Sequence, residues 1–428
     1  MKDDDMDKEI LKLMISEYQR YATQVELVPR PYVFEDALNY VFVGLRRAGK
    51  SFLMFQRIRQ LLKAGHTSEE VLYFNFEDDR LPKLETGVLE RIKTCYEEMF
   101  DCRPIFFLDE VQLVPGWEKF VRRLADQKYR VYVTGSNAKM LSSEIATTLG
   151  GRFMVHSVYP CSFPEFLTLS GIDVTGKNAQ YRERVRLVKA FESYLRSGGL
   201  PELVHVSGKR EWLSNLYQKI FFGDLVSRYQ IRNDFALRVL VRKLAESVKQ
   251  PSSFTRLAHV VSASGKRIST DTVIDYLRYL KESWLIFPLE NYSAKLADRE
   301  SNKKHYFVDN GILNLFLLDP VASLLENLVA IQLRKSYGDN VYYYHSGIEV
   351  DFVVPDRHLA VQVCTSLADP EAKEREVDAL QKMSKRYAMK NRLIVTQDEE
   401  TDIQTPEGSI TVVPAWKWLL RDGENERT

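Results

Sequence analysis

Short apolar runs at residues 40–43, 71–76, 105–108, 131–134 and 153–158 alternate with longer stretches of helical period. These runs show no polar alternation, which predicts strands covered on both faces and hence a parallel sheet with crossover helices. Past Pro160 the pattern changes to long charged helical segments such as residues 180–197, and Gly198-Gly199-Leu200-Pro201 then breaks the run, because paired glycines and a proline end helices. Residues 235–289 hold three short helical stretches and the apolar 284–289, in the size and order of a winged helix-turn-helix. From residue 302 a mixed pattern returns, with strands predicted at 342–344, 350–354, 359–363 and 393–396.

A chain of 428 residues exceeds one ordinary core, so about three domains are expected. A formal net charge of +1 excludes a globally basic protein and leaves nucleic-acid contact to a local patch. Cys95, Cys102, Cys161 and Cys364 lack zinc-type spacing and read as reduced thiols. The first nine residues are acidic, unlike a secretory signal, and no apolar run approaches the roughly 20 residues of a membrane span. A cytoplasmic protein without a membrane partner is expected.

Strong chemistry sits at residues 44–51, Gly-Leu-Arg-Arg-Ala-Gly-Lys-Ser, which match G-x-x-x-x-G-K-[ST] between a predicted strand and a predicted helix. Gly44 and Gly49 let backbone N–H groups close around phosphates, and the helix that follows presents its positive end. Lys50 is expected to reach the β- and γ-phosphates of ATP, and the Ser51 hydroxyl to ligate magnesium, which prefers oxygen donors. Arg46 and Arg47 lie inside the loop, where each can face phosphate, a partner or solvent.

The run 104–110 is an apolar strand ending in two carboxylates and looks like a Walker B motif. Asp109 is expected to hold the magnesium and Glu110 to polarise the attacking water. The next strand ends in Gly135-Ser136-Asn137, at the carboxyl edge where open α/β sheets bind ligands, so Asn137 is a candidate γ-phosphate sensor. Arg152, after Gly150-Gly151, is a candidate to stabilise transition-state charge, in cis or from a neighbouring subunit.

Together these residues resemble a family, the bacterial and archaeal AAA-type ATPases that join an N-terminal ATPase domain to a C-terminal domain of unknown function (the 4143 family) with a restriction-endonuclease-like fold. The resemblance runs along nearly the whole chain: residues 44–51, Leu108-Asp109-Glu110-Val111-Gln112, Thr134-Gly135-Ser136, Gly151-Arg152, Ser162-Phe163-Pro164-Glu165-Phe166, Gly198-Gly199-Leu200-Pro201-Glu202 and Glu349-Val350-Asp351-Phe352. It implies an α/β chain with a P-loop ATPase domain at 1–165, a helical region at 166–301 that includes the winged-helix-like 235–289, and a C-terminal α/β nuclease-like domain at 302–428. The segments 162–166 and 198–202 suggest no chemistry, and a structural role is expected of them.

In the nuclease-like fold a helix glutamate precedes a strand aspartate, and the adjacent strand carries E-x-K. Glu326 and Glu349-Val350-Asp351 fall in that order, but Gln362 stands where the acid belongs and Cys364 where the lysine belongs. Gln362 brings no charge to a divalent ion and Cys364 no ammonium, so a nuclease-like shape without nuclease activity is expected.

The reading these features favour is an ATP-binding protein, a magnesium-dependent ATPase that acts as a switch coupled to its C-terminal domains. The alternative is a DNA-binding module regulated by ATP, because residues 232–304 carry fourteen Lys and Arg against eight Asp and Glu, and such an excess attracts phosphates. An active nuclease is the third reading. A protein partner or a second copy of the chain is compatible with each.

Overall fold

Apolar strands without alternation need cover on both faces, and helices between the first four strands of the chain supply it there. Residues 153–157, expected to be covered likewise, form an edge strand with Met154 and Val155 exposed. The computed structural model describes residues 2–81, 84–137, 140, 147–174 and 183–425. It divides into two units, Met1–Tyr159 and Pro160–Thr428.

The first unit opens with helix α1 (Lys2–Gln24) and then alternates β1 (Asn39–Val43), α2 (Lys50–Lys63), β2 (Val71–Asn75), α3 (Val88–Met99), β3 (Ile105–Asp109), α4 (Trp117–Asp126), β4 (Val131–Gly135) and β5 (Phe153–Ser157). All strands pair in parallel in the order β2-β3-β4-β1-β5. Strand β4 therefore lies between β1 and β3, which separates the 44–51 loop from the acids at the end of β3 by one strand. Tyr40, Phe42, Phe107 and Tyr132 are buried across these strands, and the Phe107 and Tyr132 rings stack with centroids 4.7 Å apart.

The second unit starts with helix α5 (Phe163–Leu169), entered through a capping box in which the Ser162 N–H donates to Glu165 Oε2 at 2.6 Å. Helix α6 (Arg184–Ser197) fills most of the helical stretch expected at 180–197; residues 180–182 lie outside the described residues. Gly198-Gly199 ends that helix on Asp309, whose carboxylate accepts from Gly199 N at 2.9 Å and from Gly311 N at 2.8 Å. Beside it, Asn310 Nδ2 donates to Leu195 O and Leu324 O, and Asn327 pairs with both backbone groups of Phe307. The motif segments at 162–166 and 198–202 thus supply a helix cap and the anchor of a buried polar knot, each satisfying backbone groups that burial would otherwise leave unpaired.

Helices α7 (Lys209–Lys219) and α8 (Asp234–Glu246) are followed by β6 (Ser252–Ser253), α9 (Phe254–Ala263), α10 (Thr270–Glu282), β7 (Ile286–Asn291), α11 (Leu296–Ser301) and β8 (Asn302–Phe307). After α12 (Asn310–Asn314) and α13 (Val321–Tyr337) come β9 (Tyr342–His345), β10 (Glu349–Val354), β11 (Leu359–Val363), α14 (Pro370–Tyr387), β12 (Asn391–Thr396), β13 (Thr401–Thr405), β14 (Gly408–Pro414) and α15 (Ala415–Asn425). These strands form one mixed sheet in the order β13-β14-β12-β11-β10-β9-β7-β8-β6. Its strands come from both sides of residue 302, so the sheet runs through the domain edge expected there. Among the described residues no helix is long and apolar enough to cross a membrane.

Candidate nucleotide site

The 44–51 loop leaves the carboxyl end of β1 and enters α2 through Gly49, whose φ of 96° lies in the region glycine adopts without cost. A Cβ at Gly44 would stand 2.1 Å from the Val158 carbonyl oxygen, so the loop start tolerates no side chain. Lys50 is buried, and its Nζ donates to the Gly44 and Leu45 carbonyls at 3.2 Å each. The same ammonium lies 3.4 Å from Glu110 Oε1.

Asp109 and Glu110 end β3 inside a hydrogen-bonded cluster. Asp109 accepts from Tyr73 OH at 2.6 Å, from Thr134 Oγ1 and from Ser51. Thr134 Oγ1 in turn accepts from Glu110 N at 2.8 Å, while Glu110 Oε2 accepts from Gln112 Nε2 at 2.6 Å and from Ser136 N at 3.2 Å. Burial, then the charge of Glu110, push the Asp109 carboxyl above its ordinary range. Burial works against ionised Glu110 too, but Lys50, Gln112 and Arg46 outweigh it and hold its pKa below the usual value.

The loop, both acids and the end of β4 therefore meet at one edge of the sheet. Lys50, Ser51, Asp109 and Glu110 are brought together, and Asn137 follows Ser136 there, its carbonyl accepting from Met140 N. Arg152 is not. It precedes β5 beside Phe153, which pairs with Asn39 at the opposite end of β1, five residues or about 16 Å of strand from the loop. Its Nε pairs with Asp126 at 2.5 Å, at the end of α4. Of the two alternatives left open for Arg152, this position disfavours action in cis, because parallel strands put their starts and their ends on different edges.

Sequence reasoning missed Tyr73, and it named Gln112 and Thr134 only as motif residues, without a role at the site. Thr134 carried a signal, as the polar residue closing the apolar strand Val131-Tyr132-Val133.

A second cluster of ionisable groups lies in the other unit. Lys304 on β8 is fully buried, with Nζ 3.1 Å from Glu349 Oε1, 3.5 Å from Glu326 Oε1 and 3.7 Å from Asp351 Oδ1. Tyr306, on the same face of β8, donates to Glu326 at 2.8 Å. Gln362 accepts from Asp351 N at 2.8 Å and donates to Glu349 O at 3.1 Å, so it ties backbone rather than facing an ion. Burial raises Glu326 to about 8 despite Lys304, and pushes the Cys364 thiol up to about 12. Lys304 is the ammonium of this cluster, and the sequence reading did not notice it. Among the described residues no group of three or more His, Cys, Asp or Glu is placed to hold a metal ion.

The parallel sheet and the loop at its carboxyl edge define a P-loop ATPase domain. Residues 38–167 match the AAA domain family, and residues 188–321 match a domain of unknown function (DUF8612), so this second match falls on the middle of the chain and not on residues 322–428. An uncharacterised protein of Methanocaldococcus jannaschii is 33% identical over 396 residues, covering 89% of this chain and 88% of its own. One of Haemophilus influenzae is 30% identical over 400 residues, covering 89% and 94%. The chain belongs to the family of these archaeal and bacterial proteins, and in this chain the AAA domain is followed by the domain of unknown function. A Walker-type ATPase of Pyrococcus abyssi aligns over 72% of this chain and 95% of its own at 12% identity with a TM-score of 0.41, too loose a likeness to carry an argument.

Proposed function

We propose that the first unit binds ATP in the 44–51 loop and hydrolyses it with magnesium. The observation that carries this reading is the convergence of Ser51 with the buried Lys50, Asp109 and Glu110 in one cluster at the carboxyl edge of the sheet. The AAA-domain match supports it.

Phosphate oxygens replace the two loop carbonyls as acceptors for Lys50. Ser51 and Asp109 offer oxygen donors already in contact, a set that suits magnesium, which is bound through one or two carboxylates plus substrate phosphates and water. When bound, the ion neutralises charge on the β- and γ-phosphate oxygens. Glu110, kept ionised by Lys50, accepts a hydrogen bond from a water. The water oxygen bonds to the γ-phosphorus as the bond to the β,γ-bridging oxygen breaks, and that electron pair leaves on ADP. Inorganic phosphate and a proton are the other products. Asn137, next to Ser136 at the same edge, is the candidate to sense the γ-phosphate, and Arg152 serves only in trans, on a second copy of the chain. Turnover then acts as a switch on the second unit.

Titration of wild-type protein and Lys50→Ala with ATP tests the assignment: binding is expected in the first and none in the second, and equal affinity would remove the loop from the function.

A second reading, DNA binding by residues 232–304, draws on the order α8-β6-α9-α10-β7-β8 with β8 between β6 and β7, the arrangement of a winged helix. Charge placement ranks it second. Arg238, Arg278, Arg299, Lys303 and Lys304 are committed to carboxylates, and on α10 Arg278 lies 2.8 Å from Asp275 and 3.7 Å from Glu282. The Lys304 cluster we read as a buried ion knot in a nuclease-like sheet, not as a cutting site.

A further inference from the structure

We propose that Arg46, from within the loop, is the cation this chain sets against the γ-phosphate, and that Glu77 holds it until nucleotide arrives. This rests on the ATP reading above.

Charge builds on the γ-phosphate oxygens as the bridging bond breaks, and a guanidinium aimed there is worth orders of magnitude in rate. Arg152 stands at the wrong edge to supply it in cis. Arg46 lies two residues after Gly44, with a side chain only 14% exposed and Nη1 2.6 Å from Glu77 Oε1. Its charge also acts on Glu110, which places the guanidinium within electrostatic reach of the group that handles the water.

The position of Glu77 follows from the sheet. Asn75 at the end of β2 is in register with Asp109, and Phe76 N donates to the Asp109 carbonyl at 3.0 Å. Glu77 thus leaves the sheet beside the acid pair, its N–H fixed on Asn75 Oδ1 at 3.0 Å. A carboxylate at that place presents Arg46 with a planar, bidentate-capable anion, the chemistry a phosphate offers with more charge. The γ-phosphate competes with Glu77 for the same fork, and ADP, which lacks that phosphate, does not. Glu77 adjoins Asp78, which is held by Tyr18 of α1 and by Arg80 at 2.9 Å, and Arg80 reaches Glu17 of α1 at 2.6 Å. Handing Arg46 from Glu77 to phosphate therefore changes the charge balance of a loop fastened to α1, and gives the unit a means of distinguishing ATP from ADP.

The test is calorimetric titration of wild type, Arg46→Ala, Arg46→Lys and Glu77→Ala with a non-hydrolysable ATP analogue and with ADP in magnesium, followed by phosphate release from ATP. Arg46→Ala is expected to keep ADP affinity, which also reports an intact fold, while its preference for the ATP analogue falls about 10-fold and its turnover about 100-fold. Arg46→Lys restores neither, because a point charge lacks the fork. Glu77→Ala is expected to bind the ATP analogue several-fold more tightly with ADP affinity unchanged. Arg46→Ala with the wild-type nucleotide preference and rate overturns the role of Arg46, and unchanged or weaker analogue binding in Glu77→Ala overturns the latch. If wild type binds neither nucleotide, the ATP reading itself falls, an outcome separate from both.

Discussion

Lys304 faces three carboxylates from β10 and α13, and its burial bears on what those acids can do. Removing one partner of a buried ion cluster leaves charge without compensation, so Lys304→Met is expected to destabilise the second unit by about 3–5 kcal/mol in urea unfolding. Wild-type protein is expected to leave supercoiled DNA intact in magnesium or manganese. Nicking that disappears in Asp351→Ala would contradict this. The acids were legible because Glu326 and Asp351 follow a familiar order. Lys304 was not, since a lysine in a basic stretch reads as solvated surface until the alternation of β8 is known. In the first unit Arg47 and Glu110 have φ of 63° and 53°, a left-handed conformation that costs a side-chain-bearing residue backbone energy and that Lys128 also adopts at the turn after α4.

Elements were more legible than their arrangement. Four of the five strands of the first sheet are buried and stood out as apolar runs, because cover on both faces forbids alternation. Strand β5, at the sheet edge, leaves Met154 and Val155 exposed, and His156 and Ser157 break its run. The order of the strands did not stand out, since parallel strands buried alike carry no mark of their neighbours. Whether Arg152 acts in cis or in trans stayed open for the same reason: Gly150-Gly151 shows a turn before a strand, not which edge of the sheet the turn occupies. Strand β8 carries a further consequence. Burial, aided by the charge of Lys303, pushes His305 down to about 4. Unfolded His305 takes a proton near pH 6.5 that the native state refuses, so its stabilisation is present above that pH and is lost as pH falls towards 4. Between pH 7 and 4.5 this amounts to about 2–3 kcal/mol. Asp309, raised to about 6 by burial, changes stability in the opposite sense over part of the same range. The check is therefore a difference: the urea midpoint of wild type should fall more on acidification than that of His305→Gln, and parallel shifts would contradict the assignment.

For the chain as a whole, a net charge of +1 and an excess of six cations in residues 232–304 describe one molecule at two scales. The local excess is diminished by ion pairs within that stretch and by the burial of Lys304, which is why composition overstated the case for nucleic acid. The 44–51 loop suffered no such loss, because its chemistry is carried by residue types at fixed spacing and needs only a strand before it and a helix after it. The central claim is that Glu110 spends this architecture on hydrolysis. It is tested most directly by measuring ATP binding and phosphate release on the same samples of wild type and Glu110→Gln in magnesium. The account predicts comparable binding in both and a rate at least about 100-fold lower in the variant. Wild type that binds no ATP, or Glu110→Gln that releases phosphate at the wild-type rate, would contradict it.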